Sequence, residues 1–363
     1  MIKDKYQKLP ILHFSETIKK RHIKKQLRCI IFGNFGAMNL GDEAILAGEI
    51  QELQKIPNII ITVVGRYPKE IQRLHKVNAL SLYTLNKVRK EIKKSDFIII
   101  GGGGLINKIE RNIIGFFYQL YMLFAFFYLP RFYRKKAYIL GIGIYNNANA
   151  LILNLALPFF KSANLVTVRD HHSQDFLKKK NVHGGLYKDN SFLMDLSPIS
   201  QVQQEPFFKN NLRKNKMNIG ISLVKPENKQ VEKKLIKELV QFVKNHKEKA
   251  DFWLYATDYN PEYFNDVKFS MVFVNEIKKQ LKEEVVIHIV PTDMKPQIYF
   301  ASFKIMHFFV AMRFHAAVFA YRNKIPFAGI SYDKKCASFI ESIGLHPMKI
   351  KDVTAANIEK HIL

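Results

Sequence analysis

The sequence predicts an α/β protein made of two doubly wound domains facing each other across a cleft. Three observations lead there. Short β-rich runs alternate with helix-length patterns along nearly the whole chain. Glycines and polar clusters follow those runs, as they do at the C-terminal ends of a parallel sheet covered on both faces. At 363 residues the chain also exceeds one average domain, so two such series are expected.

Taken in order, residues 1–28 read as a basic arm ending IKKRHIKKQLR. A first domain, 29–197, opens with CIIFGNFGAMNLGDEAILAGEIQEL: a β-rich run, a Gly/Asn loop, then a helical pattern from about Asp42. Further strands are expected at Ile59 to Val64, at Phe97 to Ile100 running into a Gly101–Gly104 loop, and at Ala137 to Leu140 before Gly141-Ile142-Gly143. Leu165 to Val168 precedes Arg169-Asp170 and a helix, and Leu186 to Asp189 reads as one more strand. Residues 198–216 are polar and lack periodicity, which predicts a linker. A second series fills 217–363. Its strands are expected at Asn218 to Leu223, Asp251 to Tyr255, Val285 to Ile289 and Phe327 to Ile330, with helices at 229–245 and 264–282.

Composition narrows the partner class. The 57 basic against 31 acidic side chains give a net charge of +26, which favours an anionic partner. Nucleic acid, an anionic membrane surface and phosphorylated small molecules all qualify on charge. No zinc knuckle, RNP aromatics or helix-turn-helix signature organises a nucleic-acid reader, so nucleic acid is not expected. Cys29 and Cys336 are the two cysteines and form no CxxC, so neither a disulfide framework nor a cysteine metal site is expected. The 12 histidines include no HExxH, and no metal site is predicted. The reading is a cytoplasmic protein without a secretory signal. Ile113 to Leu129, crowded with aromatics and followed by Arg131, Arg134, Lys135 and Lys136, leaves open a buried helix, an interfacial helix or a span. Contact with the inner face of a membrane is compatible with it.

The chemistry concentrates in four places. In MRFHAAVFAYRNKIPFAGISYDK (312–334), Arg313 and His315 open a small-residue helix, where unpaired N–H groups and the helix dipole favour an anion. Arg313 is a forked donor for phosphate or carboxylate, and His315 carries a proton near neutral pH; the alternative is a capped helix with a surface Arg. Asn39 and Asp42, in the first strand-to-helix turn, either hold sugar hydroxyls or simply shape that turn. Gly102, Gly103 and Gly104, with Gly101, let an anion or sugar lie on backbone N–H groups. Arg169 is a candidate second anion clamp, or half of an Arg–Asp pair with Asp170 as helix cap.

With these pieces in order, the chain resembles the polysaccharide pyruvyl transferase family. The matching stretches are GNFGAMNLGDEAIL (33–46), SDFIIIGGGGLI (95–106), GIGIY (141–145), VTVRDHHSQDFL (166–177), DNSFLMD (189–195), GISL (220–223) and the Arg313 segment. The resemblance implies a GT-B-like pair of Rossmann-like domains. It also implies transfer of pyruvate from phosphoenolpyruvate, as donor substrate and with no cofactor, onto a sugar of a cell-surface polysaccharide or its lipid-linked precursor, forming a pyruvyl ketal. Under it, Arg313 and Arg169 clamp the donor beside Gly102–Gly104, and His315 moves a proton or holds phosphate. Asn39, Asp42 and Glu43 lie on the acceptor side. A nucleotide-sugar glycosyltransferase on the same scaffold, or a non-catalytic scaffold on the membrane surface, are the alternatives.

Overall fold

The computed structural model describes residues 26–106, 113–144, 148–262, 265–281 and 285–362. The basic arm therefore lies outside the described residues up to residue 25. The chain divides into two units. One comprises the described residues up to Met38 together with Asp42–Asp195, and the other comprises Asn39–Gly41 with Leu196–Leu363.

In the first unit, alternate residues of each strand feed opposite cores, which is what a sheet covered on both faces requires. Its elements are β1 (Leu27–Phe32), α1 (Leu40–Gln54), β2 (Ile59–Gly65), α2 (Pro68–His75), β3 (Asn78–Ser81), α3 (Leu85–Lys94), β4 (Phe97–Ile106) and α4 (Ile113–Leu123). A π-helical turn (Phe124–Tyr128) leads into α5 (Leu129–Phe132), followed by β5 (Lys136–Ile144), α6 (Ala150–Ser162), β6 (Leu165–Val168), α7 (His171–Lys179) and β7 (Gly185–Leu186). Ile30 and Phe32 of β1 join Ile98 and Ile100 of β4 under α3 and α6, while Cys29 and Ile31 join Phe97 and Ile99 under α1. The seven strands are parallel in the order β3-β2-β1-β4-β5-β6-β7.

The second unit begins with α8 (Ile199–Gln204) and α9 (Pro206–Asn211), so the stretch read as a linker carries two short helices. Phe208 of α9 is fully enclosed, with its ring against Trp253, and that apolar anchor is what the polar composition hid. Then come β8 (Met217–Ser222), α10 (Lys229–His246), β9 (Ala250–Leu254), α11 (Asp266–Leu281), β10 (Ile287–Ile289), α12 (Pro296–Ala301), β11 (Phe308–Ala311), α13 (Phe314–Arg322), β12 (Phe327–Ser331), α14 (Lys334–Ser342), β13 (Met348–Lys349) and α15 (Ala355–Glu359). Its six parallel strands run β10-β9-β8-β11-β12-β13. One face packs on α10 and α11 through Ile219, Ile221, Leu239 and Phe273. On the other, Tyr255, Tyr299, Phe303 and Phe309 form a ring cluster.

Both sheets reverse their winding direction next to their first strand, between β1 and β4 and between β8 and β11. Loops there diverge at the strand C-termini, the place where doubly wound sheets bind ligands. The Gly101–Gly104 stretch is not a loop. β4 continues through it, pairing Gly101 with Leu140 and Gly103 with Ile142 before a register shift. Among the described residues, no helix is long and apolar enough to cross a membrane.

Candidate active site

The second unit assembles a cluster beyond the ends of β8, β9, β11 and β12. Arg313 follows β11 in extended conformation and stands at the N-cap of α13, with His315 in the first turn. Asp266, enclosed at the start of α11, fixes the guanidinium. Arg313 Nε donates to Asp266 Oδ2 at 2.9 Å, and Nη2 bonds Oδ1 of the same carboxylate. Asp266 Oδ2 also accepts from the Thr257 and Asp258 backbone N–H groups at 3.1 Å, and Asp258 Oδ2 lies 3.7 Å from Arg313 Nη2. Burial works against the Arg313 charge, but Asp266, Tyr332 and Asp258 together outweigh it and raise its pKa further. The arginine is permanently charged and held by two of its three nitrogens. Nη1 makes no hydrogen bond to a described residue.

Asn39, Leu40 and Gly41 belong to this same cluster. Asn39 bridges to Asp258, and the Leu40 N–H donates to Thr257 O at 2.8 Å. Asn39 Oδ1 accepts from the Gly41 N–H at 3.0 Å, capping α1. The buried His315 ring lies directly over Gly41: a Cβ there would sit 2.0 Å from its Nδ1. Only glycine lets imidazole and backbone approach so closely. Two residues 274 positions apart thus meet, with an arginine fork and a histidine at one helix start. The arrangement can hold a carboxylate or phosphate and move a proton beside it.

The first unit builds a different, buried network. Arg169, past the end of β6, donates from Nη1 to Asp189 Oδ2 at 2.7 Å, with its side chain 1% exposed. Asp189 Oδ1 accepts from the Ser191 N–H, and Asn190 Nδ2 donates to Glu49 Oε1 at 2.7 Å. Glu49 lies fully enclosed on α1 against Gly101. Burial first, then the Asp189 charge, pushes its pKa up to about 8 despite the Asn190 bond. In the loop after β1, Asn34 Nδ2 donates to Asp42 Oδ2 at 3.0 Å.

A family model described as "Polysaccharide pyruvyl transferase" matches residues 39–334. The chain belongs to the polysaccharide pyruvyl transferase family. Comparison with curated proteins gives no match. Among solved structures, UDP-GlcNAc 2-epimerase from Methanocaldococcus jannaschii is similar at 10% identity, with a TM-score of 0.61 over 93% of this chain and 92% of that one. The Neisseria meningitidis UDP-GlcNAc 2-epimerase bound to UDP-GlcNAc is 13% identical, with a TM-score of 0.56 over 92% and 89% of the two chains. A trehalose 6-phosphate synthase from Burkholderia multivorans is 11% identical, with a TM-score of 0.52 over 92% and 90%. At these identities the likeness concerns the fold, two parallel-sheet α/β units of GT-B type.

The residues singled out in the sequence separate into two groups. Arg313, His315 and Asn39 come together in the second unit. Arg169, Asp42, Glu43 and the glycines lie in the first. Glu43, expected beside the acceptor, is fully enclosed: Oε1 accepts the Gly36 N–H at 2.7 Å and Oε2 pairs with His75 at 2.7 Å. Its carboxylate holds the loop after β1. Gly101, Gly102 and Gly103 are packed closely on α1: a Cβ on each would meet Glu49 at 2.3 Å, Ile45 at 2.1 Å and Asp42 at 2.9 Å. Arg169 pairs with Asp189 rather than with the neighbouring Asp170, which caps α7 as expected. Sequence reading missed Asp266, Asp258, Gly41 and Glu49. Only Gly41 carried a signal, as a glycine at the second position of a helix.

Proposed function

We propose that the protein transfers the pyruvyl group of phosphoenolpyruvate onto two hydroxyls of a saccharide, forming a ketal. The observation that carries this reading is the Arg313–Asp266 fork beside His315 over Gly41, in a chain of this family. In the reading, Arg313 binds the donor's carboxylate or phosphate through its outward Nη1 edge, helped by the α13 N-terminus. With Nδ1 turned to Gly41, His315 uses Nε2 to deliver a proton to C3 of the enol. Cationic character then builds at C2, which one sugar hydroxyl attacks. The C2–O bond to phosphate breaks and the second hydroxyl closes the ring. Of the two hydroxyl protons, one replaces the proton given to the methyl group and the other leaves with phosphate. In the same reading Asn39, beside Asp258, takes an acceptor hydroxyl. Arg169, enclosed with Asp189, holds the first unit's network and is not used as a clamp.

The test is calorimetric binding of phosphoenolpyruvate beside a nucleotide-sugar panel, with phosphate release and product mass followed on candidate saccharides. Binding of phosphoenolpyruvate that is lost in Arg313→Ala supports the reading. Nucleotide-sugar binding in its place moves the protein to the chemistry of its structural neighbours.

A further inference from the structure

We infer that the first unit docks on an anionic lipid bilayer through the outer face of the helical segment Ile113–Phe132. Phe117, Phe124 and Phe132 are 61%, 46% and 78% exposed, and Leu151 at the start of α6 is 52% exposed. Large apolar side chains that stay uncovered on one segment mark an interaction surface.

Their alignment has a local cause. Phe117 and Phe124 are seven residues apart and so share a helical face. Phe132 follows after eight, which in an unbroken α-helix would rotate it by about 80° away from that line. Pro130 removes a donor and crowds the carbonyl four residues earlier, Phe126. The chain widens there into the π-turn, with the Leu129 N–H reaching back to Phe124 O. A π-turn absorbs one extra residue and so returns Phe132 to the face of the other two. Together the three rings span about 22 Å, a length that lies along a surface.

The flanks fit a bilayer interface. Tyr121 bonds Leu82 O at 2.6 Å and stacks on the exposed Tyr83, so hydroxylated rings line one side of the stripe. Tyrosine, with an apolar body and a polar tip, suits the headgroup level. At the Phe132 end, Arg131 and Arg134 are exposed, and with Lys135 they edge a cavity of about 340 Å³ floored by Ile100, Phe127, Ile139 and Phe159. Cations over an apolar floor match a phospholipid headgroup and the first part of its chain. The net charge of +26 attracts the same surface.

The test is flotation of the full chain with phosphatidylcholine vesicles, alone or doped with phosphatidylglycerol. The wild type is expected to float with the doped vesicles only. Phe117→Ser/Phe124→Ser/Phe132→Ser is expected to reduce binding roughly tenfold or more with thermal stability unchanged. Arg131→Glu/Arg134→Glu should cost about fivefold per residue. The control reversal Lys233→Glu/Lys237→Glu, on exposed positions of α10, should leave binding close to wild type. No flotation of the wild type, full flotation of the triple variant, or equal loss in the α10 control would each overturn the inference. So would a wild-type dimer that the triple variant converts to monomer, which would make a second copy the occupant.

Discussion

Replacing Glu49 by Gln should change how stability depends on pH. Glu49 is fully enclosed, and its raised pKa, about 8 against an ordinary 4.5, arises from burial and from Asp189. Because the folded-state value is raised, the folded chain holds a proton that the unfolded chain has released across that interval. The contribution is therefore complete below about pH 4.5 and is lost as pH rises through about 8. Linkage sets the slope at about 1.4 kcal/mol per pH unit between those limits. For a unit of this size that corresponds to roughly 3–6 °C in melting temperature per pH unit. Gln keeps an oxygen for the Asn190 amide and stays neutral throughout. The difference in melting temperature between wild type and Glu49→Gln, measured from roughly pH 5.5 to 7.5, should drift in the variant's favour at that rate. Taking the difference cancels the other titrating groups. Parallel curves would refute a protonated Glu49.

Arg313→Lys keeps the charge but not the fork onto Asp266, and pyruvyl transfer should fall roughly 100-fold or more. His315→Ala should lose roughly 100-fold or more at unchanged donor affinity; steady-state rates within a few-fold of wild type would reject both roles. Asp266→Asn leaves Arg313 without its carboxylate and should cost about 2–3 kcal/mol, between the values for exposed and fully buried pairs, read by chemical denaturation. Gly102→Ala adds a Cβ 2.1 Å from Ile45 at a backbone φ of +24°. It should destabilise the first unit by about 2–5 kcal/mol, visible as a lowered melting temperature. Gly41→Ala adds a Cβ 2.0 Å from Nδ1 of the buried His315 ring. It should lower both turnover and the stability of the second unit, the latter by about 1–3 kcal/mol, read as a lowered melting temperature.

The alternation of buried strands with helices was legible because each strand's period-two pattern is local to four to ten residues. Leu165–Val168 falls where it was expected, and Lys229–His246 ends one residue later than expected. Arg313 and His315 could be read because both sit in one short segment whose small residues mark a helix start. Asp266 could not, since its 47-residue separation from Arg313 is closed only by the sheet order β9-β8-β11. The packing of the glycines after Ile100 was hidden for a related reason. Absence of a Cβ serves a ligand or a packed helix equally well, and the α1 residues they meet, Asp42, Ile45 and Glu49, lie far upstream and are invisible in the motif itself.

The three residues Asn39–Gly41 have a consequence for how this chain can be taken apart. A fragment starting at Leu196 would contain every strand of the second sheet, yet it would lack Asn39 beside Asp258 and the glycine beneath His315. The boundary that a sequence alignment would draw between the halves is thus not the boundary of the second unit. Exchanging either half with that of a relative would graft a histidine onto a helix start it has not been matched to. Inheritance of the two halves is tied together by a three-residue splice, and chimaeras should be designed to carry it with the C-terminal half.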